Sequence, residues 1–132
     1  MRRDVPPAEL AKYRLDRAKE DLDTAIMMLQ NKKFEASINR SYYAIFHAAR
    51  ALLALEQKDY KKHSGVISHF NREYIKPGLF DKAYGQILTR AFEIRNETDY
   101  EDFYVLPKDS VMKQANSAEK FINAIEEYIK RQ

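Results

Sequence analysis

Apolar residues recur every three or four positions along almost the whole chain, a period that admits helices and little else. From Pro7 to Gln30 the stripe reads Ala11, Leu15, Ala18, Leu22, Ala25, Ile26 and Leu29, and Pro6-Pro7 suits its start. Asn31-Lys32-Lys33 makes a short polar joint, so the next helix, Phe34 to Glu56, should fold back antiparallel. It carries Ile38, Tyr42, Ile45, Ala49 and Leu52 on one line with Phe46 and Leu53 beside it, the pattern of a central helix with several neighbours. Gln57 to Lys62 reads as a polar loop, and Ser64 as the cap of a shorter helix with Val66, Ile67, Phe70 and Tyr74 inward. After Pro77-Gly78 a fourth helix starts near Phe80, carrying Ala83, Tyr84, Ile87, Leu88, Ala91 and Phe92. Pro107 breaks the chain, and Ser110 is placed to cap a last helix with the stripe Val111, Ala115, Ala118, Ile122, Ile125 and Ile129.

No segment alternates with period two for long enough to make a strand. With 3 Gly and 4 Pro in 132 residues, the chain lacks the turns of a sandwich or barrel. The pattern predicts one all-α domain over residues 1–132, a bundle of four long helices and one shorter one.

The absence of cysteine excludes disulfides, thiolate nucleophiles and zinc knuckles. No apolar window is long enough to span a membrane, and the basic N-terminus lacks the apolar core of a secretory signal, so a cytoplasmic location is expected. The net charge of +3 permits nucleic-acid binding without arguing for it, and the cluster Lys58, Lys61, Lys62 and His63 reads as a solvated loop. His47, His63 and His69 do not share a metal-binding spacing, no Gly-x-Ser-x-Gly elbow is present, and no glycine-rich loop can cradle phosphates. No cofactor and no metal are expected.

What remains is polar residues on apolar helices. On the second helix Asn39, Tyr43, His47 and Arg50 share a face, with Tyr42 in the core and Tyr43 and His47 toward water or a partner. On the fourth, Leu88, Ala91, Phe92 and Arg95 follow at helical spacing, so a guanidinium continues the buried stripe. It cannot shed its charge, so something must face it: a local carboxylate such as Asp99, a second copy of the chain, or a ligand phosphate. An intrahelical Arg95–Asp99 pair is worth only about 0.3 kcal/mol and does not explain the position. Asn96 and Tyr100 repeat the spacing one step round the helix.

Three stretches carry a resemblance to the HEPN family: residues 39–53 of the second helix, His63-Ser64-Gly65-Val66, and Arg95-Asn96-Glu97-Thr98-Asp99-Tyr100. The chain resembles the stand-alone branch of that family. The resemblance implies an up-and-down bundle that pairs as a homodimer, with an arginine-led motif from each subunit meeting at the two-fold axis. Many members are metal-independent ribonucleases, and related small members pair with a minimal nucleotidyltransferase in toxin–antitoxin systems, where a tyrosine near the motif can be modified.

Arg95 and Asn96 match the start of the motif; Tyr100 stands where a histidine is usual, and Asp102 where the modified tyrosine is usual, with Tyr104 nearby. A phenol near pKa 10 is a poor general base at neutral pH. The resemblance thus implies binding of RNA or nucleotide phosphate at a dimer cleft by Arg95, Asp99, Tyr43, His47 and His63. The alternatives are a ribonuclease using Arg95, Asn96 and Tyr100, and a non-catalytic assembly module.

Overall fold

The computed structural model describes residues 5–100 and 106–132, the side chains of 98–100 aside. Among these residues every regular element is helical: α1 Pro7–Gln30, α2 Phe34–Leu55, α3 His63–Phe70, α4 Lys82–Tyr100 and α5 Lys108–Lys130. One π-helical turn, Asn71–Ile75, continues α3. Four long helices and one short one follow in the expected order.

α1 and α2 form an antiparallel hairpin. Ser37 Oγ donates to the Ala25 carbonyl at 2.8 Å near the turn, and Arg14 Nη1 donates to the Arg50 carbonyl at 2.9 Å at the far end. Ala11, Ala18 and Ala25 line the α1 stripe with no exposed surface, and such small side chains let two helices approach closely. α2 also packs on α5, α4 and α3. It is buried around most of its circumference, with Ile38, Tyr42, Ala44, Ile45, Ala48, Leu52 and Leu53 all inaccessible to solvent. Each large side chain buried in this way contributes about 1.5–3 kcal/mol.

Both α1 and α2 end in a left-handed residue that is not glycine. Lys32 has φ 60° and Gln57 has φ 57°. Lys33 N–H donates to Met28 O and Lys32 N–H to Leu29 O; Lys58 N–H donates to Leu53 O and Gln57 N–H to Ala54 O. These are Schellman pairs, which satisfy carbonyls that a helix end otherwise leaves bare.

The helix starts differ from the sequence reading. α3 begins at His63, with Lys62 at the cap position and Ser64 exposed inside the first turn. α5 begins at Lys108, directly after Pro107, so Ser110 lies inside it. α4 begins at Lys82 rather than Phe80; Asp81 Oδ1 accepts the Ala83 N–H at 2.9 Å, and Phe80 is buried just before the helix. In the last two cases a restrained or carboxylate-bearing residue upstream, Pro107 or Asp81, took the terminal role before the serine or aromatic could.

The loop after α2 is tied down by charge. Asp59 Oδ2 accepts from Arg50 Nη2 at 3.0 Å and from Arg14 Nη2 at 3.4 Å, while its Oδ1 accepts the Tyr60 N–H at 2.9 Å. Arg14 is buried on α1 and is satisfied by this carboxylate and the Arg50 carbonyl. The clamp ties the loop that leads into α3 to both α1 and α2. Among the described residues, no helix is long and apolar enough to cross a membrane.

Candidate functional site

Arg95 arrives at the site by period alone. It follows Leu88 and Ala91, both without exposed surface, one turn further along α4. At that level α4 crosses the aromatic pair Tyr42 and Tyr43 of α2. The Arg95 guanidinium carbon lies 5.2 Å from the Tyr42 ring centroid and 5.3 Å from that of Tyr43. The two rings meet edge to face at 5.2 Å. A planar cation against the negative faces of such rings gains about 0.5–2 kcal/mol, the larger value where water is excluded.

A second guanidinium reaches the same ring. The Arg40 carbon lies 5.0 Å from the Tyr43 centroid, and Arg40 Nη1 donates to Asp21 Oδ1 at 3.2 Å. Asp21 is buried on α1, and His47 Nε2 stands 3.6 Å from its other oxygen, which accepts no hydrogen bond among the described residues. His47 also lies beside Tyr43, with ring centroids 5.9 Å apart. Burial holds the His47 imidazole below its ordinary pKa, with Arg50, Arg17 and Arg40 adding to that effect and Asp21 opposing it.

His63 closes the other side. Its Nδ1 lies 2.7 Å from the Tyr42 hydroxyl, and its ring lies against Phe46 with centroids 4.1 Å apart. Burial lowers its pKa, and the positive charges of Arg95 and Arg50 lower it further. Tyr42 has no exposed surface; burial drives its phenol well above the ordinary value, against the pull of Arg95. Tyr42 therefore stays protonated and His63 neutral near pH 7.

The structure thus brings Arg95, Tyr43, His47 and His63 to one half-open face of α2, α3 and α4, and Asn96 is half-buried next to Arg95. His63 corrects the reading of the basic cluster: Lys58, Lys61 and Lys62 are exposed, whereas His63 is a packed member of α3. The side chains of Asp99 and Tyr100, and Asp102 and Tyr104 altogether, lie outside the described residues. Tyr42, Phe46, Arg40 and Asp21 were not singled out as site residues from the sequence. Asp21 had left a signal, because it occupies a stripe position between Ala18 and Ala25, as Arg95 does on α4.

Comparison with known proteins places the chain in a family. The family model for the HEPN domain matches residues 11–128, which spans all five helices. The chain belongs to the HEPN family. It is similar to a UPF0332 protein of Thermotoga maritima, 37% identical over 121 residues that cover 92% of each chain. It is also similar to two Methanocaldococcus jannaschii proteins provisionally named as toxins. One is 39% identical over 83 residues, covering 63% of this chain and 62% of that protein. The other is 24% identical over 115 residues, covering 87% of this chain and 78% of that protein. In this HEPN domain the polar face described above is built by α2, α3 and α4, the helices in which the resemblance was read.

Proposed function

We propose that this HEPN protein binds the phosphate backbone of RNA on the face centred on Arg95, as the toxin-type component of a cytoplasmic two-component system. The observation that carries this reading is the Tyr43 ring with two guanidiniums, Arg40 and Arg95, at 5.0 and 5.3 Å. Two like charges gathered on one ring repel each other, and a phosphate beside them adds to the relief that Asp21 already gives Arg40. The guanidinium fork matches phosphate oxygens in shape and charge. Two copies pairing through this face would bring two Arg95 side chains to one cleft, as the family resemblance implies. The resemblance likewise suggests a minimal nucleotidyltransferase as the partner.

The test is fluorescence anisotropy with a short single-stranded RNA at low salt and again at about 200 mM salt, where phosphate contacts weaken steeply. Binding should fall with salt and drop at least tenfold in Arg95→Ala. RNA binding unchanged by that substitution overturns the proposed site. Light scattering of the same samples reads the dimer.

A second reading, metal-independent RNA cleavage, is favoured by His63. In the tautomer whose Nδ1–H donates to the Tyr42 oxygen, Nε2 is an available base, and the depressed pKa keeps it neutral. It would take the proton from the 2′-hydroxyl as that oxygen attacks the adjacent phosphorus and the bond to the 5′-oxygen breaks, while Arg95 meets the charge that builds on the phosphate. Incubation with RNA in EDTA, comparing the wild type with His63→Gln and Arg95→Ala, separates cleavage from binding.

A further inference from the structure

On the flank of α3 away from Arg95, a second set of polar groups is connected through a histidine that the proposed function does not use. His69 retains 1% exposure. Its Nε2 lies 2.9 Å from Glu56 Oε2, and its Nδ1 lies 2.8 Å from the Tyr60 hydroxyl. Tyr74 donates its hydroxyl hydrogen to the same Glu56 oxygen at 2.5 Å. Arg72 Nη2 approaches His69 Nδ1 to 3.4 Å, beside the Tyr60 phenol.

These partners fix the direction of every proton. The Glu56 carboxylate accepts hydrogen bonds from Tyr74 and His69, which hold its pKa low against the effect of burial. An ionised carboxylate only accepts, so His69 carries its hydrogen on Nε2. Nδ1 is then the acceptor, and Tyr60 donates to it. The order is phenol, imidazole, carboxylate: a nucleophile, its base, and the group that orients the base. Arg72, exposed and bonded through Nε to Glu73 Oε1 at 3.0 Å, turns Nη2 toward this pair, where it can meet a phenolate or an incoming anion.

The rest of the local structure holds Tyr60 in this pose. Its backbone is fixed by Asp59, and its ring lies on Gly65, where an added Cβ would come within 2.9 Å of Tyr60 Cβ, Cγ and Cδ1. Glycine inside a helix is unfavourable relative to alanine, and here it makes the seat for that ring. Tyr60 remains 37% exposed, so the phenol is held at the surface while its base is buried.

We propose that Tyr60 is an activated phenol nucleophile and a covalent modification site for phosphoryl-type electrophiles. In the step, Tyr60 Oη attacks a tetrahedral phosphorus, forming the Oη–P bond as the bond from phosphorus to its leaving group breaks. The phenolic proton moves to His69 Nδ1, the imidazolium is stabilised by Glu56, and the leaving group departs with the electron pair. With a phosphoric anhydride as donor, the leaving group is a phosphate oxyanion. Arg72 faces the anionic oxygens of the group transferred.

A fluorophosphonate probe tests this directly, because it supplies the same tetrahedral phosphorus with fluoride as leaving group. Mass spectrometry of the intact protein and its peptides gives the rate at each tyrosine. Tyr13 is the internal reference: it is 58% exposed and accepts a hydrogen bond from Arg17, but it has no imidazole partner. Tyr60 should form its adduct at least tenfold faster than Tyr13, and His69→Gln should bring it down to the Tyr13 rate. Arg72→Met should slow it several-fold and Arg72→Lys should restore part of the loss. Should His69→Gln fail to fold, Glu56→Gln serves, with an expected drop of several-fold. Equal rates at Tyr60 and Tyr13, or a Tyr60 rate untouched by substitution of His69 or Glu56 in a folded protein, overturns the proposal.

Discussion

The Tyr42 hydroxyl lies 2.7 Å from His63 Nδ1, inside a wall formed by Phe46, Phe92 and the Arg95 guanidinium. This bond joins the most buried tyrosine of α2 to the first residue of α3. Tyr42→Phe keeps the ring and removes the bond, stranding a half-buried imidazole nitrogen. It should cost about 1–2 kcal/mol in urea unfolding, within the range for a buried polar group left without its partner.

Acid should weaken the fold in two windows. His47 and His63 both have pKa values below the ordinary imidazole value in the folded protein. As pH falls below about 6.5, the unfolded chain takes up protons that these two side chains refuse, so stability drops. Glu56 and Asp59 are also held below the ordinary carboxylate value, so a further loss follows below about pH 4. Thermal unfolding across this range checks the profile. His47→Gln together with His63→Gln should flatten the upper window and leave the lower one in place.

Asp59→Asn tests the clamp on the loop. Arg14 would keep its bond to the Arg50 carbonyl but lose its counter-charge. The cost should be about 1–2 kcal/mol, moderated because Asp59 is partly exposed to solvent. Since the clamp holds the loop that leads into α3, the same variant should shift the NMR signals of His63. An unmoved His63 spectrum would show that α3 is held by its own packing alone.

The left-handed helix ends offer a gain. Lys32→Gly and Gln57→Gly each relieve a side chain from a conformation that costs about 1–2 kcal/mol, offset by the larger entropy of glycine in the unfolded chain. Each should raise stability by about 0.5–1 kcal/mol, read as a higher urea midpoint with unchanged slope.

Helix order and the buried stripes were legible because period is a local property: Leu88, Ala91 and Arg95 declare their face within two turns. Arg14, Asp21 and His69 are buried on the same kind of face, but the apolar stripes as read from the sequence left them out. Their partners were not legible. Asp21 meets Arg40 across the α1–α2 hairpin, and Arg14 meets Asp59 and His69 meets Tyr60 only after the loop from Gln57 to Lys62 has returned the chain across α2. That return depends on charges 45 residues apart in sequence, at Arg14 and Asp59, which no spacing rule connects. Helix starts failed for a related reason: Ser64 and Ser110 have the chemistry of caps, but residues just upstream had already set the backbone.

α3 carries His63 against one set of side chains and His69 against another, only six positions apart. A helix this short has no room to bend between them. It behaves as a crossbar resting on two supports, so sliding or rolling at one end must register at the other. A substitution aimed at either histidine therefore perturbs both neighbourhoods, and only a double-mutant cycle across α3 apportions the effect.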